Sequence, residues 1–368
     1  MKPGAASLII APQWIGDAVM TEPLLRRLAA RGERLTVAAL PWVAAVYRLM
    51  PQVSEVIELP FAHGGLQWRA RRSLAGQIKG RFDTAYVCPN SLKSALLPFL
   101  AGIQQRIGYL GEARFGLLTQ RLKNPPRNRR PPMVAFYSAL SGERDHDRDR
   151  PLLQVDKVTV EQTLQQLRLP SAAYYVFAPG AEFGPAKRWP TDHFAELARI
   201  LDHPVLLLGS AKEHALCEEI ATPVNASQAG KCINLAGKTS LAQAFHAIAG
   251  SLSTVSNDSG LMHVAAALGV NQVAIFGSSS PLHTPPLNTR ADVLWLKNEP
   301  AYQPALDCAP CFERCCRFGH TRCLSDISSS QVLQRIEQLK RGPLSQALPA
   351  AFLVGANPGR KKATRRWP

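Results

Sequence analysis

Acidic residues, long apolar runs and phosphate-loop glycine patterns are all scarce in this 368-residue chain. No uninterrupted apolar stretch approaches the roughly 18 residues needed to cross a bilayer. The start, Met1 to Pro12, has only the apolar run Leu8 to Ala11 before its proline, too little for a signal peptide's apolar region. A cytoplasmic protein is therefore expected, with any membrane association peripheral. The 27 acidic residues face 43 basic ones, a net charge of +16, which favours an anionic partner: nucleic acid, anionic lipid or a phosphorylated substrate. Nothing resembles a zinc finger, an aromatic-basic strand or a compact recognition helix, so no nucleic acid is expected. The first strand-to-helix turn, Trp14-Ile15-Gly16-Asp17, lacks the three-glycine spacing of a dinucleotide fingerprint, and hydride chemistry loses support accordingly.

What is present is a repeated alternation of strand and helix. Strands are expected at Leu8–Ala11, Leu35–Ala39, Val53–Leu59 and Thr84–Val87, with helices at Ala18–Ala30, Val43–Met50, Ser91–Leu100 and Val158–Leu167. Residues 124–150, crowded with Pro, Arg and Asp, read as a surface segment with a short helix at Val134–Leu140. A second series has strands at Tyr174–Phe177, Val205–Leu208, Val255–Ser256 and Val273–Phe276. Its helices fall at Asp192–Leu201, Ala211–Ala221, Leu241–Ala249, Met262–Leu268 and Ser328–Lys340. The class is α/β, two similar Rossmann-like halves with a ligand crevice at the carboxyl ends of their strands. The division expected is 1–168, 169–342 and a basic tail at 343–368, taken as disordered and solvated.

Candidate residues cluster after the strands. Asp17 opens the first helix and is either an N-cap or a general base exposed to the crevice, with Gly16 keeping the turn tight and the carboxylate uncovered. After Tyr174–Phe177 comes Pro179-Gly180-Ala181-Glu182-Phe183-Gly184-Pro185-Ala186-Lys187-Arg188-Trp189-Pro190. Here Lys187 and Arg188 are either a solvated basic pair or cations that neutralise charge on a departing nucleoside diphosphate. Asn257-Asp258-Ser259-Gly260-Leu261-Met262-His263 feeds into a small-residue helix whose first amides suit a diphosphate; Asp258 and Ser259 could equally be caps and His263 a packed core histidine. Glu213 either holds a sugar hydroxyl or favours its own helix dipole. Three of the eight cysteines, Cys88, Cys217 and Cys232, are scattered. The other five, Cys308, Cys311, Cys315, Cys316 and Cys323, have soft ligands close enough for zinc or an iron–sulfur cluster. Their single short knuckle and irregular spacing put a local disulfide or free packed thiols ahead of a metal.

With these motifs in place, residues 7–340 resemble the bacterial ADP-heptose:lipopolysaccharide heptosyltransferases, glycosyltransferase family 9. The resemblance implies a GT-B fold, two Rossmann-like domains facing each other across a cleft, the first binding acceptor and the second ADP-heptose. It implies an inverting enzyme with no cofactor and no metal in the active site, in line with the lack of an Asp-x-Asp pair in the crevice motifs. The donor would be ADP-heptose and the acceptor heptosyl-Kdo2-lipid A, modified at the 3-hydroxyl of its first heptose, on the inner face of the cytoplasmic membrane. The first or a later core heptosyltransferase, and a non-catalytic sugar-nucleotide-binding protein, are the alternatives. Carried onto this chain, the catalytic residues are Asp17 as base and Lys187. The donor set is Lys187, Glu213, Asp258, Ser259, Gly260, Leu261 and His263. The acceptor side takes Gly16, Arg127, Arg129 and Arg130, the arginines from their placement in a basic segment.

Overall fold

The computed structural model describes residues 4–61, 65–126, 131–143, 149–169 and 173–342. The tail at 343–368 and the candidates Arg127, Arg129 and Arg130 lie outside the described residues.

Two six-stranded parallel sheets form the frame. The first holds β1 (Ala6–Ile10), β2 (Arg34–Ala39), β3 (Val53–Glu58), β4 (Thr84–Val87), β5 (Gln105–Tyr109) and β6 (Gln120–Leu122), in the order β3-β2-β1-β4-β5-β6. The second holds β7 (Tyr175–Ala178), β8 (Val205–Leu207), β9 (Cys232–Asn234), β10 (Ser253–Asn257), β11 (Gln272–Ile275) and β12 (Ala291–Leu294), in the order β12-β11-β10-β7-β8-β9. Counted from its own first strand, the second sheet repeats the order of the first. Strand order therefore reverses twice, between β1 and β4 and between β7 and β10. A crevice opens beyond the carboxyl ends of the strands at each reversal.

The helices around the first sheet are α1 (Ile15–Met20), α2 (Glu22–Ala30), α3 (Pro41–Arg48), α4 (Trp68–Ile78), α5 (Leu92–Leu100), α6 (Met133–Ser138) and α7 (Lys157–Gln166). Around the second are α8 (Thr191–Ile200), α9 (His214–Asn225), α10 (Leu241–Ala249), α11 (Gly260–Ala267), α12 (Arg322–Ser325) and α13 (Ser329–Lys340). Central strands are covered on both faces: every residue of β4, β7, β10 and β11 is buried. This suits their apolar runs.

Three features differ from the sequence reading. The single helix expected over Ala18–Ala30 is two, broken at Thr21. Pro23 has no N–H to continue the ladder and sits instead in the first turn of α2, while the Thr21 hydroxyl donates to the Ala18 carbonyl at 2.6 Å. The four strands β5, β6, β9 and β12 complete the sheets; three of them are only three or four residues long. And α7, expected to close the first half, packs on α10 of the second lobe, where the Thr163 hydroxyl and His246 Nδ1 lie 2.8 Å apart.

The lobes also meet through α1 and α11. A Cβ on Gly16 would stand 2.6 Å from His263 Cδ2, and one on Gly260 would stand 2.9 Å from the Ile15 Cβ. Two glycines thus let two helix starts touch, and added side-chain atoms must push them apart. Gly260→Ala is expected to lower unfolding stability by about 1–3 kcal/mol through that overpacking, measured by urea denaturation. Unchanged stability would show that the lobes part without cost.

Candidate functional site

The first switch point carries Asp17. The chain leaves β1, turns at Pro12 to Trp14 and enters α1, whose N-cap position is Trp14; Asp17 lies in the first turn and does not cap the helix. The capping alternative is thereby removed. The side chain is half-buried and receives the Tyr137 hydroxyl. Burial pushes its carboxyl up to about 6, against the lowering effect of the Tyr137 hydrogen bond. Its charge also bears on Tyr47 and Cys88, both held protonated chiefly by burial, Tyr47 well above the ordinary range and Cys88 at about 12. A carboxylate whose pKa approaches neutrality, in a pocket of protonated hydroxyls and a thiol, is suited to taking a proton.

The second switch point carries the rest. Lys187 Nζ stands 2.5 Å from Asp258 Oδ2, joining the loop after β7 to the loop after β10. Asn257 locks the same two loops: its amide donates to the Pro179 carbonyl at 2.7 Å and its Oδ1 accepts from the Trp189 N–H at 3.0 Å. Trp189 is itself buried, with its indole N–H on the Ile327 carbonyl at 2.8 Å. The helix after this loop takes Pro190 as its N-cap position and begins at Thr191, one residue before the start expected at Asp192.

Ser259 occupies the N-cap of α11 without a side-chain cap bond, and its Oγ is buried without a partner. Leu261 lies in the first turn of α11. His263 is buried, and that burial holds its imidazole down at about 4; Asp258 opposes the fall and Lys187 adds to it. The ring is therefore neutral near pH 7. Glu213 caps its own turn, one oxygen accepting from the Ser210 N–H at 2.7 Å. The other oxygen lies over Gly180, where a Cβ would come within 1.7 Å of it. The carboxylate thus sits at the mouth of the loop after β7 while also serving the helix.

The structure brings Gly16, Gly260 and His263 into one contact zone, with Asp17 and the Lys187–Asp258 pair joined to it in sequence. Glu213 stands against Gly180 on the loop that also carries Lys187.

Residues 71–321 match glycosyltransferase family 9 (heptosyltransferase). The chain is 41% identical over 348 residues to lipopolysaccharide heptosyltransferase 2 of Escherichia coli strain K12, covering 90% of this chain and 97% of that protein. It is 39% identical over 306 residues to lipooligosaccharide heptosyltransferase 2 of Haemophilus influenzae, covering 78% and 88%. The solved E. coli ADP-heptose lipopolysaccharide heptosyltransferase II superposes with a TM-score of 0.77 at 39% identity, covering 91% of this chain and 98% of the other.

The chain belongs to glycosyltransferase family 9. Its fold is GT-B, the two Rossmann-like lobes expected from the sequence. The sequence did not single out Tyr137, although it lies in α6, the short helix expected at Val134–Leu140 within the Pro-, Arg- and Asp-rich surface segment. Nor did it single out Ser278 and Ser279, whose hydroxyls are buried and unpartnered just beyond β11. The run Gly277-Ser278-Ser279-Ser280 after an apolar strand was the available signal.

Two outcomes follow from this geometry. Asn257→Ala leaves the Pro179 carbonyl and the Trp189 N–H unpaired, and is expected to lower stability by about 2–4 kcal/mol; a loss under 1 kcal/mol in chemical denaturation would mean that the two loops do not depend on it. Asp17 is raised from 3.8 to about 6 on folding, so the native state binds the extra proton between these values and stability falls as pH rises through them. Asp17→Asn is accordingly expected to be the more stable protein at pH 8, by at most about 3 kcal/mol, with the gain fading below pH 4. A gain independent of pH would contradict the raised carboxyl.

Proposed function

We propose that this protein transfers L-glycero-D-manno-heptose from ADP-heptose to the 3-hydroxyl of the first heptose of heptosyl-Kdo2-lipid A. The observation that carries the reading is the raised, Tyr137-bound carboxylate of Asp17 one residue from the Gly16–His263 contact, across from the Lys187–Asp258 pair.

Asp17 takes the proton of the acceptor hydroxyl as its oxygen attacks the anomeric carbon. The new C–O bond forms on the face opposite ADP while the bond to the diphosphate breaks, and ADP leaves with that electron pair. One displacement inverts the anomeric centre. Lys187, aimed by Asp258, meets the negative charge that grows on the leaving diphosphate, together with the amides at the start of α11 and the unpartnered Ser259 hydroxyl. Glu213 would hold the nucleotide ribose, since its outer oxygen is free of the cap. Closure of the lobes over both substrates excludes water and orients them.

The lipid acceptor implies action at the inner face of the cytoplasmic membrane, as a peripheral cytoplasmic protein. The first lobe offers exposed Trp42, Leu66 and Trp68 with the exposed cations Arg69 and Arg72 for that surface. Arg71 of the same helix is not available to it, being buried and bound to the Leu66 and Lys93 carbonyls at 2.7 and 3.0 Å. No helix among the described residues is long and apolar enough to cross a membrane.

The test is mass-spectrometric detection of a heptose added from ADP-heptose to heptosyl-Kdo2-lipid A and, separately, to Kdo2-lipid A. Addition to the heptosylated acceptor alone is expected, with a loss of about 10²–10⁴-fold in Asp17→Ala and kcat/KM falling below pH 6 in the wild type. Transfer to Kdo2-lipid A would assign the first core heptosyltransferase, and no transfer by folded protein would leave a sugar-nucleotide-binding protein.

A further inference from the structure

Four of the five clustered cysteines converge. Cys308, Cys311, Cys316 and Cys323 line one cavity of about 20 Å³, enough for a single atom-sized occupant. All eight cysteines are free thiols, so the local disulfide allowed by the sequence is not formed. Cys315, next in the chain to Cys316, is exposed and takes no part in the cavity wall. The contributing spacing is Cys-x2-Cys-x4-Cys-x6-Cys, a knuckle followed by two further soft ligands on one short loop.

The four thiols face one another across that cavity, where Ala186, Ser278 and Ala309 complete part of the wall. Among the described residues no three ligating side chains already stand at metal-binding positions; the sulfurs line the wall and must draw inward to about 2.3 Å from a bound ion.

We propose that Cys308, Cys311, Cys316 and Cys323 form a tetrathiolate site for one thiophilic divalent ion, zinc or ferrous iron, which seats the 308–323 loop on the loop that carries Lys187. Binding exchanges thiol protons for the metal and involves no oxidation. The cavity wall includes Ala186, next in the chain to Lys187, so the ion acts through the loop it folds. The Arg314 carbonyl accepts from the Ala186 N–H at 3.0 Å, and its guanidinium lies 5.3 Å from the Phe183 ring, which Lys187 also approaches at 5.3 Å. Gly184 permits this fit, since a Cβ there would come within 2.5 Å of the Arg314 carbonyl oxygen.

The full chain should be produced in medium supplemented with zinc and iron, purified under reducing, anaerobic conditions and analysed for metals by mass spectrometry. About one ion per chain is expected, zinc or ferrous iron being distinguished by mass. Cys311→Ser/Cys323→Ser should lose it, and Cys315→Ser should keep it. Should the double variant fail to fold, a mercurial added to the wild type provides the second measurement, releasing the ion in step with thiol modification. Release is also expected to raise the KM for ADP-heptose more than it lowers kcat; that readout rests on the proposed transfer, whereas the metal content does not. Less than about a tenth of an ion per chain, or disulfides among these four thiols after rapid alkylation, would overturn the site.

Discussion

The close approach of α1 and α11 is the constraint on which the rest depends. Each helix begins just past a switch point of its own sheet, and each carries glycine in its first turn, so each start accepts a side chain of the other at close range. Gly16 receives the His263 ring and Gly260 receives Ile15. That contact brings the Asp17-bearing turn of one lobe to the first turn of α11 in the other. Two Rossmann-like sheets of the same strand order would otherwise have two separate crevices; the glycine contact joins them into one.

Burial at this junction acts on the two titratable groups beside it in opposite chemical senses. It raises the Asp17 carboxyl to about 6 and lowers the His263 imidazole to about 4, because in each case the charged form is the one that loses water. The junction therefore holds a carboxyl raised to about 6 and a neutral ring. The charged pair that remains, Lys187 with Asp258, is formed across two loops of the second lobe. A cation tied to a carboxylate is held in one orientation rather than rotating freely.

Much of this was legible in the sequence because strand, polar turn and small-residue helix follow one another directly at both switch points. Asp17, Lys187, Asp258 and His263 could be picked out without knowing what they face. The edge strands could not: β6 and β9 are three residues each, with Gln120, Arg121 and Asn234 among them, so neither length nor alternation marks them. The helix α4 was hidden by its arginines, one of which, Arg71, is buried by folding its guanidinium onto carbonyls and lying 4.2 Å from the Phe61 ring centroid. The three arginines assigned to the acceptor rested on charge placement alone, and they lie outside the described residues.

Tyr137 was missed for a reason that bears on how the Asp17 carboxyl is tuned. It belongs to α6, a six-residue helix that owes its place to contacts distant in sequence. Tyr109 stacks on Phe136 with ring centroids 3.9 Å apart and donates its hydroxyl to the Phe136 carbonyl at 2.7 Å. The Met133 N–H reaches the His283 carbonyl of the second lobe at 3.2 Å, and Arg27 and Arg31 of α2 hold Glu143 just beyond the helix. Burial raises the Asp17 carboxyl and the Tyr137 hydroxyl, carried by α6, lowers it, so its proton affinity is the difference between two opposed effects. Since α6 is bonded to both lobes, a relative movement of the lobes alters the Tyr137 hydrogen bond and the enclosure of Asp17 at once. The proton affinity of Asp17 is thereby linked to the placement of the two lobes.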